Sequence, residues 1–409
     1  MDVKKVLYIS YDGLTDPLGQ SQILPYLKGL SKYGYQFTIL SFEKKARFEK
    51  EANIIRAITK KEGITWVPLT FTAKPPVLSK IWDRYRMWQT ALSLYKKNNY
   101  DLIHCRSYVA AEVGLKLKQK FGVKFLFDMR GFWADEKVDN GQWNLKIPFF
   151  NRLYKQYKKK EKDFLVNADG IVSLTQAAKD YLLALPTYKN LSINVIPCCA
   201  DLDHFDYRKI NKSEQQELKQ KLGIKDSEKV ITYLGSVGGW YMTNEMFLFF
   251  KQVQQTIGGY KMLILTKDDP LNVRAEVDSL GINTNDIVIT YADRKNLPAY
   301  LSISTLSIFF IRNTFSKKAS SPTKHAELMG MGVPVICNDI GDTGNIIEKT
   351  KTGFLVNTFD AEKFEVAITK IPQLEVLDKQ LIRDCAIDLF DLKAGAKKYE
   401  MLYRQVLEY

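Results

Sequence analysis

Cysteine is scarce in this sequence: Cys105, Cys198, Cys199, Cys337 and Cys385 are five in 409 residues, and no two of them form a C-x-x-C pair. An odd number without metal-ligand spacing argues against a disulfide framework and structural zinc, and fits a reducing, cytoplasmic setting. Long hydrophobic runs are missing as well. No stretch reaches the roughly 18 consecutive apolar residues that a membrane span needs. The opening "MDVKKVLYISYDG" passes from two lysines straight into a strand-like run, without the small-residue cleavage site of a secretory leader. There is no Gly-Ser or Pro-rich linker, no repeat of solenoid length and no low-complexity tract. A phosphate-loop pattern and a G-x-G-x-x-G dinucleotide fingerprint are also absent.

What is present is positive charge and apolar mass. Lys and Arg number 60 against 46 Asp and Glu, a formal net charge of +14. That balance suits an anionic partner, whether nucleic acid, a phosphorylated small molecule or an acidic membrane face, and does not choose among them. No recognised RNA-binding signature accompanies it, so a basic RNA-binding protein is the lesser reading and no nucleic-acid partner is expected. A hydrophobic content of 45% supplies more than one core, and the length suggests two or three domains.

Strand-like runs alternate with helix-length segments: "VLYIS", "QFTILSF", "TWVPLTF", "DLIHCR", "VKFLFDM", "GIVSL" and "INVIP", then "VITYLGS", "KMLILT", "DIVITY", "LSIFFI", "VPVICND" and "GFLV". Their nearly continuous apolar character suits parallel strands covered on both faces. The alternation predicts an α/β fold with two doubly wound Rossmann-like domains facing an interdomain cleft, since ligands of open α/β sheets bind beyond the carboxyl ends of the strands. The polar stretch 198–216 marks the seam, giving domains of 1–200 and 201–392. The closing segment 393–409 has Tyr399, Leu402, Tyr403 and Val406 at helical spacing and suits either domain, including a return to the first.

The strongest local signal is "SKKASSPTKHAELMGMGVPVICNDIGD", residues 316–342. Ser is a preferred N-cap and Pro favours the first helical position, so Ser321, Pro322 and Lys324 read as N-cap, N1 and N3. A lysine there opposes the helix dipole. It makes sense if an anion such as a phosphate collects its ammonium, a hydroxyl from Ser320, Ser321 or Thr323, and the free backbone N–H groups of 320–324. The alternative is an exposed surface lysine. Glu327 shares a helix face with Thr323 and Lys324. Its carboxylate there suits two hydrogen bonds from a ribose diol; otherwise it is a partner for Lys324 or a solvated charge. Gly330 and Gly332 predict tight helix–sheet packing. Upstream, "YLGSVGGWYMTNEM" places Gly235, Ser236, Gly238 and Gly239 where backbone can approach a ligand, although turn glycines often do nothing more than turn.

At these residues the sequence resembles the retaining, metal-independent glycosyltransferases with two Rossmann-like domains, called family four or glycosyl transferases group 1 (GT-B architecture). "SSPTKHAELMGMGVPVICNDIGD" with "TKTGFLV" is similar to their donor-site signature, and "YLGSVGGWYMTNEM" to the loop opening their second domain. "VSLTQAAKDYL" and "VIPCCADLDHF" are similar to their interdomain stretch. The resemblance implies transfer of a sugar from a nucleotide-diphosphate sugar to a glycan or lipid-linked acceptor, with retention and with no cofactor beyond the co-substrate. It implies that Glu327 is the second glutamate of a Glu-x7-Glu signature and binds the donor ribose. Ala319 stands where the first glutamate is expected, and "GSVGGWYMTNE" lacks the Arg and Lys that many members use for the diphosphate. Lys324 and the backbone of 320–324 are the candidates to replace them. Asp128, Lys324 and Glu327 are the expected catalytic set. A sugar-nucleotide epimerase or a phosphorylase of the same fold is the alternative.

In the first half, Asp128 ends the strand "VKFLFD", with Arg130, Trp133 and Glu136 close in sequence. A charged group there is a candidate for acid–base or substrate-orienting work, and an Asp128–Arg130 pair stapling a loop is the equal alternative. The resemblance implies a residue near the transferred sugar and the acceptor hydroxyl. It also relates Gly19 and Gln20, after the first strand, to a glycine loop bordering acceptor and phosphates. Asp12 and Asp16 read as turn and capping residues. His104 ends "DLIH", where the family often carries a histidine and where a core histidine is as reasonable. "DLDH" at 201–204 has the form of a metal motif but stands isolated and fits turn chemistry, so no metal is expected. Two basic, aromatic helical segments, 80–97 and 149–165, suit either an anionic cytoplasmic membrane face or ordinary core packing with solvated lysines.

Overall fold

Each of the strand-like runs forms a parallel strand. The computed structural model describes residues 3–408; Met1 and Asp2 of the opening segment and Tyr409 of the closing one lie outside the described residues. The first sheet contains β1 (Lys4–Ser10), β2 (Tyr35–Glu43), β3 (Thr65–Thr70), β4 (Leu102–Arg106), β5 (Lys124–Asp128), β6 (Gly170–Ser173) and β7 (Ile193–Val195). Their order is β3-β2-β1-β4-β5-β6-β7, so the winding reverses between β1 and β4. Register pairs Ser10 with Arg106 and Arg106 with Asp128, which lines these three polar residues along one carboxyl edge. Apolar neighbours such as Val6, Leu7, Ile103 and Phe127 are sealed between covering helices, and their burial drives the sheet together.

The second sheet contains β8 (Lys229–Leu234), β9 (Tyr260–Leu265), β10 (Ile287–Thr290), β11 (Leu306–Phe309), β12 (Val335–Cys337) and β13 (Gly353–Leu355). Its order is β10-β9-β8-β11-β12-β13, with the reversal between β8 and β11. A continuous aromatic and aliphatic core, including Phe247, Phe249, Phe309 and Phe310, fills its faces.

The chain groups into two units. The first runs to Pro197 and takes back Lys318–Ser320 and the segment from Leu392; the second holds Cys198–Lys317 and Ser321–Asp391. The helix Leu392–Glu408 buries Tyr399, Leu402, Tyr403 and Val406, and Tyr403 meets Tyr35 edge-on at 5.1 Å within the first unit. Gly170 admits this helix, because a Cβ there would lie 2.9 Å from a methyl of Val406.

The glycines after Glu327 act differently from the expected helix–sheet packing. Gly330 lies against the 202–205 segment, where a Cβ would sit 2.7 Å from Leu202, and Gly332 adopts φ +65° to end the helix. The same corner is bound by Arg383, which the sequence did not single out. Its buried guanidinium donates to the carbonyls of Phe205 (2.6 Å), Gly330 (2.7 Å) and Leu202 (2.6 Å) and lies 3.2 Å from Asp206. Removing a charge from such a network strands several buried acceptors at once. Arg383→Ala is expected to lower stability by about 3–5 kcal/mol, read as a shifted denaturant midpoint. A midpoint within about 0.5 kcal/mol of the parent's would show that the clamp carries no weight.

Candidate functional site

The helix Thr323–Gly330 begins one residue later than its sequence suggests. Pro322 is extended (φ −68°, ψ 115°) and stands at the cap position without a capping side chain, so Lys324 is the second helical residue, not the third. Ser321 is not the cap. Its hydroxyl oxygen accepts from the Cys198 N–H at 3.1 Å, which ties it to the start of the second unit. Ser320 belongs with the first unit. Thr323 opens the helix and Lys324 turns inward.

Lys324 is only 7% exposed, and among the described residues its Nζ has no hydrogen-bond partner. The ammonium lies over Tyr241 (3.7 Å to the ring centroid) and Tyr233 (4.8 Å), with Phe309 at 6.0 Å. Tyr233 belongs to β8 and Phe309 to β11, the strands flanking the reversal. Gly235 makes room: at φ +145°, a Cβ would sit 2.5 Å from the Lys324 nitrogen. Burial pushes the pKa of Lys324 from 10.5 down to about 7, opposed by the charge of Glu327. Cation–π contacts return roughly 2 kcal/mol in a desolvated setting, less than the several kcal/mol that burying an ion costs. The ammonium is therefore under-compensated and suited to an incoming anion.

The loop after β8 is held by residues outside its own motif. The Val237 N–H donates to Asp268 at 2.5 Å, and the Gly238 N–H to Thr243 at 3.2 Å, whose hydroxyl passes to Glu276 at 3.0 Å. The Ser236 carbonyl accepts from the Tyr233 hydroxyl. Gly238 and Gly239 both have positive φ, at 74° and 64°, as the tight turn requires. Beyond the carboxyl ends of β9 and β10 lies a cavity of about 450 Å³ lined by Thr266, Lys267, Asp268, Ile289, Thr290 and Tyr291.

Glu327 is 6% exposed. Its partner is not Lys324 but Arg294, whose Nη1 donates to Oε1 at 2.9 Å. Arg294 rests 5.2 Å over the Phe205 ring, and its carbonyl contacts His204 Nε2 at 2.8 Å. Burial raises the pKa of Glu327, against the opposing charges of Arg294, Lys324 and His204. Sequence reading missed Arg294 because "YADRKNLPAY" looks like an ordinary charged loop. Ala319, in the place of the family's first glutamate, is buried.

The other polar centre lies wholly in the first unit. Asp128 does end β5, but it is 1% exposed. It accepts from Tyr399 at 3.0 Å and lies 3.6 Å from His104 Nε2 and 3.9 Å from Arg130 Nη1. Burial would raise its pKa, yet Arg130, then His104 and Arg106, hold the carboxyl below its ordinary value. Burial also lowers the pKa of His104, only partly offset by Asp128, and His104 Nδ1 meets Tyr403 at 2.6 Å. His104 sits mid-strand in β4 rather than at its end, because pairing with β1 continues to Arg106. Arg130 has φ +59°, a strained setting for a side-chain-bearing residue. Trp133 leaves this group and packs on Trp143 and Tyr157.

Gly19 cannot be another residue without rearrangement, since a Cβ would lie 2.1 Å from the Gly13 carbonyl. Gln20 reaches the Thr15 carbonyl at 3.4 Å. Glu43 fixes this loop by accepting from the N–H groups of Leu14 and Thr15 at 2.8 and 3.0 Å. Asp16 occupies a cap position but makes no cap bond, pairing instead with Lys44 and Arg47. Asp12 meets Arg106 at 3.4 Å. Asp201, in the "DLDH" stretch, caps a turn by accepting from the Asp203 and His204 N–H groups. Among the described residues no His, Cys, Asp and Glu group has metal-holding geometry.

Comparison with known proteins gives two family matches: "Glycosyl transferases group 1" over residues 214–384 and "Glycosyltransferase Family 4" over residues 22–204. An alpha-monoglucosyldiacylglycerol synthase of Streptococcus pneumoniae is 22% identical over 66% of this chain and 59% of its own. An N-acetyl-alpha-D-glucosaminyl L-malate synthase of Bacillus anthracis is 22% identical over 49% of this chain and 52% of its own. The chain thus spans between half and three-fifths of the length of these curated relatives. The crystal structure of Anabaena HepE, in complex with UDP and glucose, has a TM-score of 0.70 at 14% identity, covering 97% of this chain and 98% of that one. Two parallel sheets of seven and six strands with flanking helices match that GT-B fold.

The strain at Lys324 has a measurable sign. Below about pH 7 the residue is charged folded and unfolded, and above 10.5 it is neutral in both. Between those values the unfolded chain keeps a proton that the folded one has released, so stability rises with pH across the window. Lys324→Met is expected to raise the melting temperature of the ligand-free protein at neutral pH and to flatten its rise toward alkaline pH. A lowered melting temperature would mean that the ammonium is already compensated.

Proposed function

This chain belongs to the glycosyltransferases of family four and group 1, and from that premise we propose that it moves a sugar from a nucleotide-diphosphate sugar to an acceptor hydroxyl, with retention and without a metal. The observation that carries the reading is the buried, unbonded ammonium of Lys324 beside Gly235, with Glu327 one turn along the same helix. Lys324 meets the diphosphate and Glu327 the pentose hydroxyls. The loop Gly235–Gly239 brings backbone close to the phosphates, and Ser321 and Thr323 flank them. As the bond from the anomeric carbon to phosphate oxygen breaks, negative charge collects on the leaving diphosphate, and a fixed ammonium stabilises that charge more than it does the ground state. The anomeric carbon bonds to the acceptor oxygen on the same face, and the acceptor's proton goes to the departing phosphate.

Acceptor binding falls to the first unit. Asp128 is a positioning residue there: its buried carboxylate orients Arg130 and His104, and Gly19 and Gln20 border the substrate. The synthase from S. pneumoniae carries a glycolipid in its name, which supports a lipid-linked acceptor and a role in glycolipid or polysaccharide assembly.

A membrane surface fits one of the two basic aromatic helices. Among the described residues no helix is long and apolar enough to cross a membrane. In the helix Pro148–Asn167, Tyr157, Phe164 and Leu165 face inward, and Phe150, Leu153 and Tyr154 pack on the Trp143 cluster, so core packing explains it. In the helix Pro76–Asn98, by contrast, Leu78, Ile81, Trp82 and Tyr85 are each more than half exposed. Their spacing puts them on one face, with Trp82 and Tyr85 stacked at 5.7 Å. Lys74 and Lys80 are exposed nearby. An apolar ridge with cations beside it suits an anionic cytoplasmic leaflet.

Lys324→Ala and Glu327→Ala are each expected to cut transfer roughly 10²–10³-fold in the presence of EDTA, with the fold intact by circular dichroism. Near-parental turnover in both would remove the assignment, and release of free sugar nucleotide or sugar phosphate in place of a glycoside would favour an epimerase or phosphorylase. The parent is also expected to sediment with phosphatidylglycerol vesicles at low salt, and the triple variant Ile81→Ser, Trp82→Ser, Tyr85→Ser to stay in the supernatant. Equal partition of parent and variant would reject this face as the contact.

A further inference from the structure

Arg294 holds one oxygen of a buried carboxylate and leaves the other alone. Its Nη1 donates to Glu327 Oε1 at 2.9 Å, while among the described residues Oε2 accepts no hydrogen bond. Glu327 is almost wholly buried, whereas the Arg294 side chain is 36% exposed. The Phe205 ring lies beneath the guanidinium at 5.2 Å, and the backbone of Arg294 is held separately through its carbonyl, which meets His204 Nε2 at 2.8 Å. A carboxylate pinned through one oxygen has lost most of its rotational freedom, and its second oxygen is a single aimed acceptor.

We infer that Arg294 is a positioning residue for the donor: by fixing Glu327 Oε1 it aims Oε2 at the pentose diol and so sets the preference for ribonucleotides over deoxyribonucleotides. The inference rests on the donor site proposed above. The chemistry is that of discrimination by a buried polar group. A 2′-deoxy ligand leaves an aimed carboxylate oxygen without its donor, and a hydrogen bond to a charged group is worth roughly 1.5–3 kcal/mol, or about ten- to a hundredfold in affinity. A carboxylate free to rotate could turn toward Lys324 or His204, the other groups that act on it electrostatically, and would lose little when the hydroxyl is missing. An ion pair that only staples the 291–297 loop to the helix would affect folding or overall affinity but not the ratio between the two sugars.

The test is calorimetric titration of the full chain with UDP and 2′-deoxy-UDP, repeated with GDP and 2′-deoxy-GDP, for the parent, Arg294→Met and Arg294→Lys. The parent is expected to favour the ribonucleotide about ten- to a hundredfold. Arg294→Met should bring that ratio near one, and Arg294→Lys should restore part of it through a shorter single donor. A ratio in Arg294→Met equal to the parent's, in a protein that still binds nucleotide, overturns the inference and leaves the donor site standing. A parent ratio near one with both bases overturns the site along with it. If Arg294→Met fails to fold, an Arg294→Lys ratio above that of the parent overturns the inference and an intermediate one supports it.

Discussion

A buried ammonium with no hydrogen-bonding partner among the described residues sets the constraint around which the second unit is built. Lys324 lies on two tyrosine faces, beside a glycine that must remain a glycine, and among the described residues no side chain or carbonyl hydrogen-bonds its nitrogen. Hydrophobic collapse alone would have excluded the charge or paired it. Its persistence requires the surrounding structure to hold it in place, and the second unit does so from both sides of its sheet reversal. Tyr233 rises from β8, and Phe309 ends β11. The helix carrying the lysine is clamped at its far end by Arg383. Unfavourable settings of this kind cluster at functional sites and are compensated elsewhere in a fold.

Both units share that logic, since in each the polar side chains gather beside the strand where the winding reverses. In the second unit the sheet supplies aromatic surfaces and a glycine turn, and the charge comes from a helix. In the first unit the strands themselves supply the charges: Arg106 ends β4 and Asp128 ends β5, in register. The returning helix Leu392–Glu408 then sets Tyr399 against Asp128 and Tyr403 against His104 of β4. Without this helix Asp128 would lose the hydroxyl of Tyr399 and His104 that of Tyr403. The C-terminal segment is thus part of the first unit's polar centre as well as its packing.

The strands were legible because parallel strands buried on both faces must be apolar nearly throughout, and a run such as "KMLILT" allows little else. Lys324 and Glu327 were legible from one helix, where spacing converts directly to a shared face. The partners were not. Arg294 reaches Glu327 across 33 positions, and Asp268 reaches Val237 across 31, distances at which no local pattern operates. The error at Ser321 has a similar cause: an N-cap inference assumes the hydroxyl is free to bend over its own helix, and here Cys198 has taken it. Tight helix–sheet packing at Gly330 and Gly332 failed for the same reason, because the close neighbours are the 202–205 segment and Lys379. In each case the missing information was the identity of a distant neighbour.

Burial distinguishes the two acids that sequence reading grouped together. Asp128 and Glu327 are both nearly inaccessible, yet their surroundings push them in opposite directions. Around Asp128, Arg130, His104 and Arg106 outweigh burial and keep the carboxyl ionised, and Tyr399 already donates to Oδ2. Such a group is a poor proton acceptor and a good anchor for the Arg130 guanidinium 3.9 Å away. Around Glu327, burial outweighs Arg294, Lys324 and His204, so the carboxylate gains from any further hydrogen-bond donor that reaches it. A diol supplies two donors at no cost in charge. Of the two acids, Glu327 is thus the one whose setting favours a polyhydroxyl ligand, and Asp128 the one whose setting favours order in the protein around it.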